Sequence, residues 1–301
     1  MIRFTVGAFL LLCVFYGCGN DNPVGVETSN PMKGKIDLSD AYEVQRITST
    51  GGVKEKPFFV SWDEFEICFA QGKLDDGGIS WDYKLLDLDS KSKNGSVFSN
   101  LILGEYDRWR PNCSSSGNLQ VYIRGYYSGQ LVFTNGLNQD LYSIDTYEGF
   151  FQSVALSRDG KKFVYIKITQ PLVREPGSRD LIDKSNGLSR EMVVGSMEGN
   201  GGDNIGRIHF DDIHFDDSGM SYIDNACFSP DATEIVFEAI KDGNKDLYLT
   251  SLSGAITHLT YNKADDSFPC FSPNGGKIVF ISKRHGGDDI YIMDLSKPTG
   301  K

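Results

Sequence analysis

Four histidines, His209, His214, His258 and His285, are all the chain has, and none stands in a His-Glu-x-x-His spacing. That absence excludes the helical zinc site in which two imidazoles and a general base share one face. No Gly-x-Ser-x-Gly segment occurs, so the strained elbow that exposes a nucleophilic serine is missing. Cys-x-x-Cys is absent too, which removes the usual zinc-knuckle spacing. The Gly-Gly pairs at 51–52, 201–202, 275–276 and 286–287 sit in turn-like sequence with no helical pattern after them, a poor context for cradling phosphate. Basic residues are outnumbered, 30 against 41 acidic, giving a formal charge of −11. Such a balance argues against nucleic acid and against an electrostatic grip on anionic lipid. No cofactor and no metal are expected. The densest acidic run, Asp211 to Asp217, lacks the central Gly and terminal Glu of a calcium loop and reads as a solvated loop.

What the N-terminus does have is an export signature. Met1-Ile2-Arg3 precedes an apolar run from Phe4 to Tyr16, followed by Gly17-Cys18. One positive charge, a short apolar core and a small residue mark a signal segment, and the run is shorter than the roughly 18 residues a membrane span needs. Phe15-Tyr16-Gly17-Cys18 resembles a bacterial lipobox, although Phe stands where Leu is usual. The resemblance implies cleavage after residue 17 and lipidation of Cys18; an ordinary cleaved signal or an uncleaved anchor is the alternative. Residues 18–40, rich in Asn, Asp, Pro, Gly, Ser and Thr, read as a flexible tether.

The rest is organised by repetition. Cys227-Phe228-Ser229-Pro230-Asp231 and Cys270-Phe271-Ser272-Pro273-Asn274 lie 43 residues apart, each followed by an apolar trio, Ile235-Val236-Phe237 and Ile278-Val279-Phe280. Weaker copies centre on Ser157, Ser114 and Ser61, so the five anchors are separated by 53, 43, 72 and 43 residues. A period near 40 built of short strands and turns predicts a propeller or similar array. Each unit has a strand, a Ser-Pro-Asp-Gly turn, a second strand, an Asp-x-Tyr strand such as Asp289 to Asp294, and an Ile/Leu-Thr strand such as His258-Leu259-Thr260. The last copy lacks its Leu-Thr strand, and Val44-Gln45-Arg46-Ile47-Thr48 has that composition. The N-terminal strand is therefore expected to complete the final blade and remove two open edges. The fold class predicted is all-β, a single propeller of four-stranded blades over 41–297, with five blades or, if the 72-residue interval hides one, six. Thr169 to Arg190 reads as a loop leaving that pattern.

The Ser-Pro-Asp-Gly, Asp-x-Tyr-x-Met-Asp and Leu-Thr sequence resembles the TolB-type, WD-like propeller repeat of bacterial periplasmic proteins. The family's namesake carries an α/β domain ahead of its propeller, for which this chain has no room, so the resemblance implies a TolB-like propeller lipoprotein and not the Tol–Pal role. It also implies an extracytoplasmic, membrane-anchored location, with the periplasmic face of the outer membrane the favoured side.

Residues just before each anchor are expected to face the central channel, and five are singled out: Glu55, Trp109, Gln152, Asp224 and Ser267. A mouth where several blades converge is a natural ligand site, offering acceptors and one aromatic platform; the same residues also suit strand ends facing water. The function expected is a non-catalytic scaffold, anchored to the membrane by lipid, that binds a protein or peptide partner, with no nucleic acid. The alternative is a carbohydrate-binding or glycoside-cleaving propeller using paired channel carboxylates. Cys227 and Cys270, at equivalent positions, read as apolar filler first and a disulfide second.

Overall fold

Strands that alternate apolar and polar residues bury their apolar face only by stacking on another sheet, and short turn-rich repeats do this in series. The computed structural model describes residues 36–49, 52–59, 66–75, 78–88, 119–124, 129–135, 139–145, 150–169, 172–174, 181–183, 189–198, 206–211 and 219–301. These residues contain strands and no helix. After β1 (Ile36–Asp37) and β2 (Tyr42–Arg46), the strands β3 (Val53–Phe59), β4 (Glu66–Asp75) and β5 (Gly78–Asp87) form an antiparallel meander. A second meander has β6 (Leu119–Arg124), β7 (Gln130–Asn135) and β8 (Asp140–Asp145). The third sheet takes β9 (Phe150–Leu156) and β10 (Lys162–Thr169). The hairpin β11 (Leu172–Arg174) and β12 (Leu181–Asp183) follows, then β13 (Ser189–Met197) and β14 (Ile208–Asp211) complete that sheet in the order β9-β10-β13-β14. A fourth runs β15 (Met220–Phe228), β16 (Glu234–Lys241), β17 (Asn244–Ser251) and β18 (Ile256–His258). The last sheet joins the first and last described strands: β19 (Asp266–Phe271), β20 (Lys277–Ser282), β21 (Asp289–Pro298), then β2 and β1.

The 169–190 segment differs from the loop expected. β10 and β13 pair without a break from Lys162↔Ser196 to Thr169↔Ser189, so the strand resumes at Ser189, and β11 pairs with β12 within the interval. Among the described residues, the long interval between Ser157 and Ser229 is thus spent on three strands of one sheet, a hairpin and the first strand of the next sheet. Continuous pairing on both sides of the insertion is invisible in its composition, which is polar and proline-bearing.

Repeated turn chemistry explains three of the serine anchors; Ser61 and Ser114 lie outside the described residues. Ser157, Ser229 and Ser272 are all buried. Each hydroxyl accepts from the amide five residues on, Lys162, Glu234 and Lys277, at 2.8, 3.0 and 3.0 Å, and donates to Asp159, Asp231 or Asn274. The turn residue three after each serine has positive φ: Gly160 at 69°, Ala232 at 56° and Gly275 at 78°. Ser229→Ala removes an acceptor from a buried turn amide, so it is expected to lower stability by about 1–2 kcal/mol. Urea unfolding of the variant checks it; an unchanged midpoint would mean that water replaces the hydroxyl.

Each sheet-to-sheet seam has its own core. Leu119, Phe133 and Phe151 meet Phe163 at one seam, and Val164, Ile166 and Val194 meet Ile223 and Ile235 at the next. Val236 and Leu247 then pack on Phe271, Ile278 and Phe280, and Ile67 and Phe69 pack on Val279, Ile281 and Ile290. The first strands of these sheets touch in the succession β6, β9, β15, β19, β3. A glycine permits one of the seams: a Cβ on Gly195 would lie 2.2 Å from Phe163 Cζ, so only glycine leaves room for that ring.

The N-terminal strand takes the place the repeat leaves empty. In the fourth sheet the Leu259 amide donates to Leu247 O at 2.9 Å, and the Leu247 amide donates to Thr260 Oγ1 at 2.9 Å. In the last sheet the Ile47 amide donates to Ile290 O at 2.8 Å, and the Ile290 amide donates to Thr48 Oγ1 at 2.9 Å. Ile47-Thr48 therefore does for β21 what Leu259-Thr260 does for β17. Two charged clasps hold it there. Asp289 accepts from Arg46 Nε and from Thr48, with Lys54 Nζ of β3 at 3.7 Å. Arg284 reaches Asp37, Asp40 and Asp266 at 3.0, 2.8 and 2.9 Å.

Candidate functional site

The first strands carry a shared irregularity. In β3 the pairing shifts between Glu55 and Phe58, in β15 between Asp224 and Cys227, and in β19 between Ser267 and Cys270. The residue after the first of each pair has a left-handed backbone: Lys56 at 50°, Asn225 at 50° and Phe268 at 53°. In β9 the shift leaves Gln152 without a cross-strand partner between Phe151 and Ser153. Bulges turn a strand and re-aim the side chain beside them. Non-glycine residues at positive φ cost free energy, and recurrence at one repeat position makes this feature part of the architecture. Three of the five expected mouth residues, Glu55, Asp224 and Ser267, thus flank equivalent bulges, and a fourth, Gln152, lies within the irregularity of β9. Trp109 lies outside the described residues, as does Cys18.

The bulges bring polar groups from neighbouring sheets together. Gln152 Nε2 donates to Asp224 Oδ2 at 2.7 Å and to the Tyr222 hydroxyl at 3.2 Å, and that hydroxyl donates to Asp224 Oδ2 at 2.9 Å. Arg190 Nε holds Gln152 Oε1 at 3.0 Å, with its guanidinium 4.5 Å from the Tyr222 ring centroid. Lys245 Nζ lies 4.7 Å from the centroid of the same ring and 3.1 Å from Glu238 Oε1. Glu238 is Asp224's cross-strand partner, fully buried, and its Oε2 accepts the amide of Phe268 at 2.7 Å. A carboxylate of the fourth sheet therefore holds the bulge of the last one, next to Ser267.

The electrostatics are those of crowded acids in a dry place. Burial raises the Glu238 carboxyl above its ordinary range; Lys245 opposes this and Asp224 adds to it. Glu55 is raised as well, first by burial, with Lys56 pulling down and Asp288 and Glu238 pushing up. The Tyr222 phenol is pushed far up by burial and by Asp224 and Glu238, so it remains a hydrogen-bond donor. Asp224 is 7 % exposed, and its Oδ1 finds no donor among the described residues. Buried carboxylate oxygens are normally satisfied, so this atom stands out as an open acceptor among those residues. Among the described residues no group of three or more His, Cys, Asp or Glu side chains is arranged to hold a metal ion.

Tyr222, Glu238, Arg190 and Lys245 were not expected from the sequence. Two of them left a signal: Tyr222 stands two residues before Asp224 and so shares its strand face, and Glu238 interrupts the apolar run Ile235-Val236-Phe237 with Ala239-Ile240 beyond it.

Antiparallel sheets of this size, stacked through their first strands around shared bulges, are sheets of the β-propeller-blade kind. The last two repeats are TolB-like: residues 218–300 match the family model of the TolB beta propeller domain. No curated protein matches the chain. Among solved structures, a putative TolB from Agrobacterium tumefaciens is similar at 17% identity, over 62% of this chain and 57% of that one, with TM-score 0.41. TolB from Acinetobacter baumannii is similar at 15% identity, over 82% and 55%, with TM-score 0.44. An oligogalacturonate lyase from Vibrio parahaemolyticus is similar at 15% identity, over 84% and 93%, with TM-score 0.37. The chain spans little more than half the length of the two TolB structures.

Proposed function

We propose that the chain is a lipid-anchored, extracytoplasmic five-bladed propeller, closed by β2, that binds a protein or peptide partner at its inner-strand mouth without catalysing a reaction. In this reading residues 1–17 are the export signal, Cys18 carries the lipid, 18–40 form the tether and 41–297 the propeller. The observation that carries the binding role is Asp224 Oδ1, a buried acceptor with no donor among the described residues, on a carboxylate whose other oxygen is held by Gln152 and Tyr222. Pre-organised acceptors of this kind favour a donor arriving from a ligand, since the cost of orienting them is already met.

The test is photo-crosslinking in the native envelope with the full chain and with Asp224→Asn. The variant keeps an acceptor for Gln152 and Tyr222 but loses the charge, and a charge-assisted contact is worth about 1.5–3 kcal/mol. Capture of a defined protein partner is expected to fall at least about tenfold. Equal capture by both proteins would remove the mouth from the interface, and recovery of no protein at all would end the protein-binding reading.

One observation favours a second reading, a glycan-cleaving propeller: Glu55 has its carboxyl raised by burial and lies within the field of Glu238, as a general acid requires. Oligosaccharide turnover that disappears in Glu55→Gln would establish it in place of the scaffold.

A further inference from the structure

We propose that Cys227 and Cys270 are a modification site, forming a disulfide between neighbouring sheets when the chain meets a small-molecule or protein disulfide donor. Both occupy the first paired position after the bulge, opposite Val236 and Val279, on the inner strands β15 and β19. Their sulfurs lie 3.6 Å apart. A bond of about 2.05 Å requires some 1.5 Å of approach between the sulfurs. Both residues are part-exposed, so a donor can reach them. Cys68 differs: it is buried, and burial pushes its thiol up to about 12, which keeps it protonated and unreactive.

The chemistry balances as two exchanges. The thiolate of one cysteine attacks a donor sulfur and expels the donor's other sulfur as a thiolate. The second cysteine, as thiolate, then attacks the mixed disulfide and releases the remaining donor thiol. Cys227 and Cys270 together lose two electrons and two protons, and the donor disulfide becomes two thiols. The link closes a segment of 43 residues in the unfolded chain, and it joins the two strands that carry Asp224 and Ser267. The sites of the proposed partner and of this bond are therefore adjacent, but the bond does not depend on that partner.

The experiment exposes the full chain to oxidised glutathione, blocks remaining thiols with N-ethylmaleimide and maps unreduced tryptic peptides. Peptide 208–241 is expected joined to peptide 264–277, two hydrogens lighter than their sum. The oxidised protein is expected to melt about 5–10 °C above the reduced one. Cys270→Ser is expected to abolish both the joined peptide and the oxidation-dependent rise. Comparison of oxidised with reduced wild-type protein needs no variant and stands if Cys270→Ser folds poorly. Both cysteines recovered as maleimide adducts, either one recovered with glutathione or Cys113, or a bond that leaves the melting temperature unchanged would each overturn the proposal.

Discussion

Arg284→Met is expected to destabilise the fold by about 3–5 kcal/mol, the range seen when one partner of a buried ion cluster is removed. The guanidinium is 1 % exposed and is shared by Asp37, Asp40 and Asp266, the last two with fully buried side chains. It also donates to Ser282, and its plane lies over Tyr291, so methionine loses hydrogen bonds as well as charge. Methionine fills much of the volume, so the loss is one of charge compensation. Three carboxylates face one cation, and the excess is relieved by a proton. Burial raises the Asp266 carboxyl to about 7, while Arg284 opposes the rise and Asp40 adds to it. At Asp37 burial also pushes upward, but hydrogen bonds from Ser39 and the charge of Arg284 outweigh it and hold that carboxyl below its usual range.

The pH dependence follows with a definite sign. Asp266 titrates near its ordinary 3.8 when unfolded and near 7 when folded, so the native state binds more protons between those values. Its contribution to stability is therefore full below about pH 4, declines as pH rises, and is gone above about pH 7. Asp37 works oppositely, contributing above its ordinary range and losing that as pH falls. In Arg284→Met the cation that offsets the ionised cluster is absent, so the destabilisation is expected to be larger at pH 8 than at pH 5. Thermal melts of both proteins at the two pH values check it. A loss of equal size at both would assign Arg284 a packing role only.

Three of the anchors and the strand that pairs with β21 were legible because their causes are local. A Ser-x-Asp-Gly turn satisfies its own amides, and Ile47-Thr48 copies Leu259-Thr260 down to the threonine hydroxyl that accepts a backbone amide. Counting back five residues from the anchor lands on Gln152, Asp224 and Ser267, each at or beside an irregularity in the pairing of its strand. What it missed depends on partners from other strands. Arg190 reaches Gln152 from the far side of an insertion, and Lys245 reaches Tyr222 from the third strand of the sheet. Nor did composition announce the clasp at Arg284, since Asp37 and Asp40 belong to a segment that reads as tether until Arg284 binds it.

Val44→Asp is the second large effect expected, because it strikes the strand that both termini share. Val44 is 1 % exposed, pairs with Met293 of β21, and packs with Phe280, Tyr291 and Met293. Losing that burial removes about 1.5–3 kcal/mol, and a carboxylate there has no cation to meet, which adds several kcal/mol more. The charge of Arg46 is already committed to Asp289, and that of Arg284 to three carboxylates, so neither can answer it. The cheapest response of the molecule is to release β2 and leave the rest of the last sheet standing. β21 would then present an open edge, with amides of Ile290 and Ile292 deprived of the order that β2 imposes, and an unpaired edge is a template for association. Hydrogen exchange across 289–294 is expected to accelerate at least about a hundredfold, while exchange in β7, whose core is separate from that of Val44, changes little. Light scattering should rise with protein concentration over the same conditions. Uniform acceleration in both strands would mean instead that β2 is inseparable from the fold, and that removing it unfolds the array as one unit.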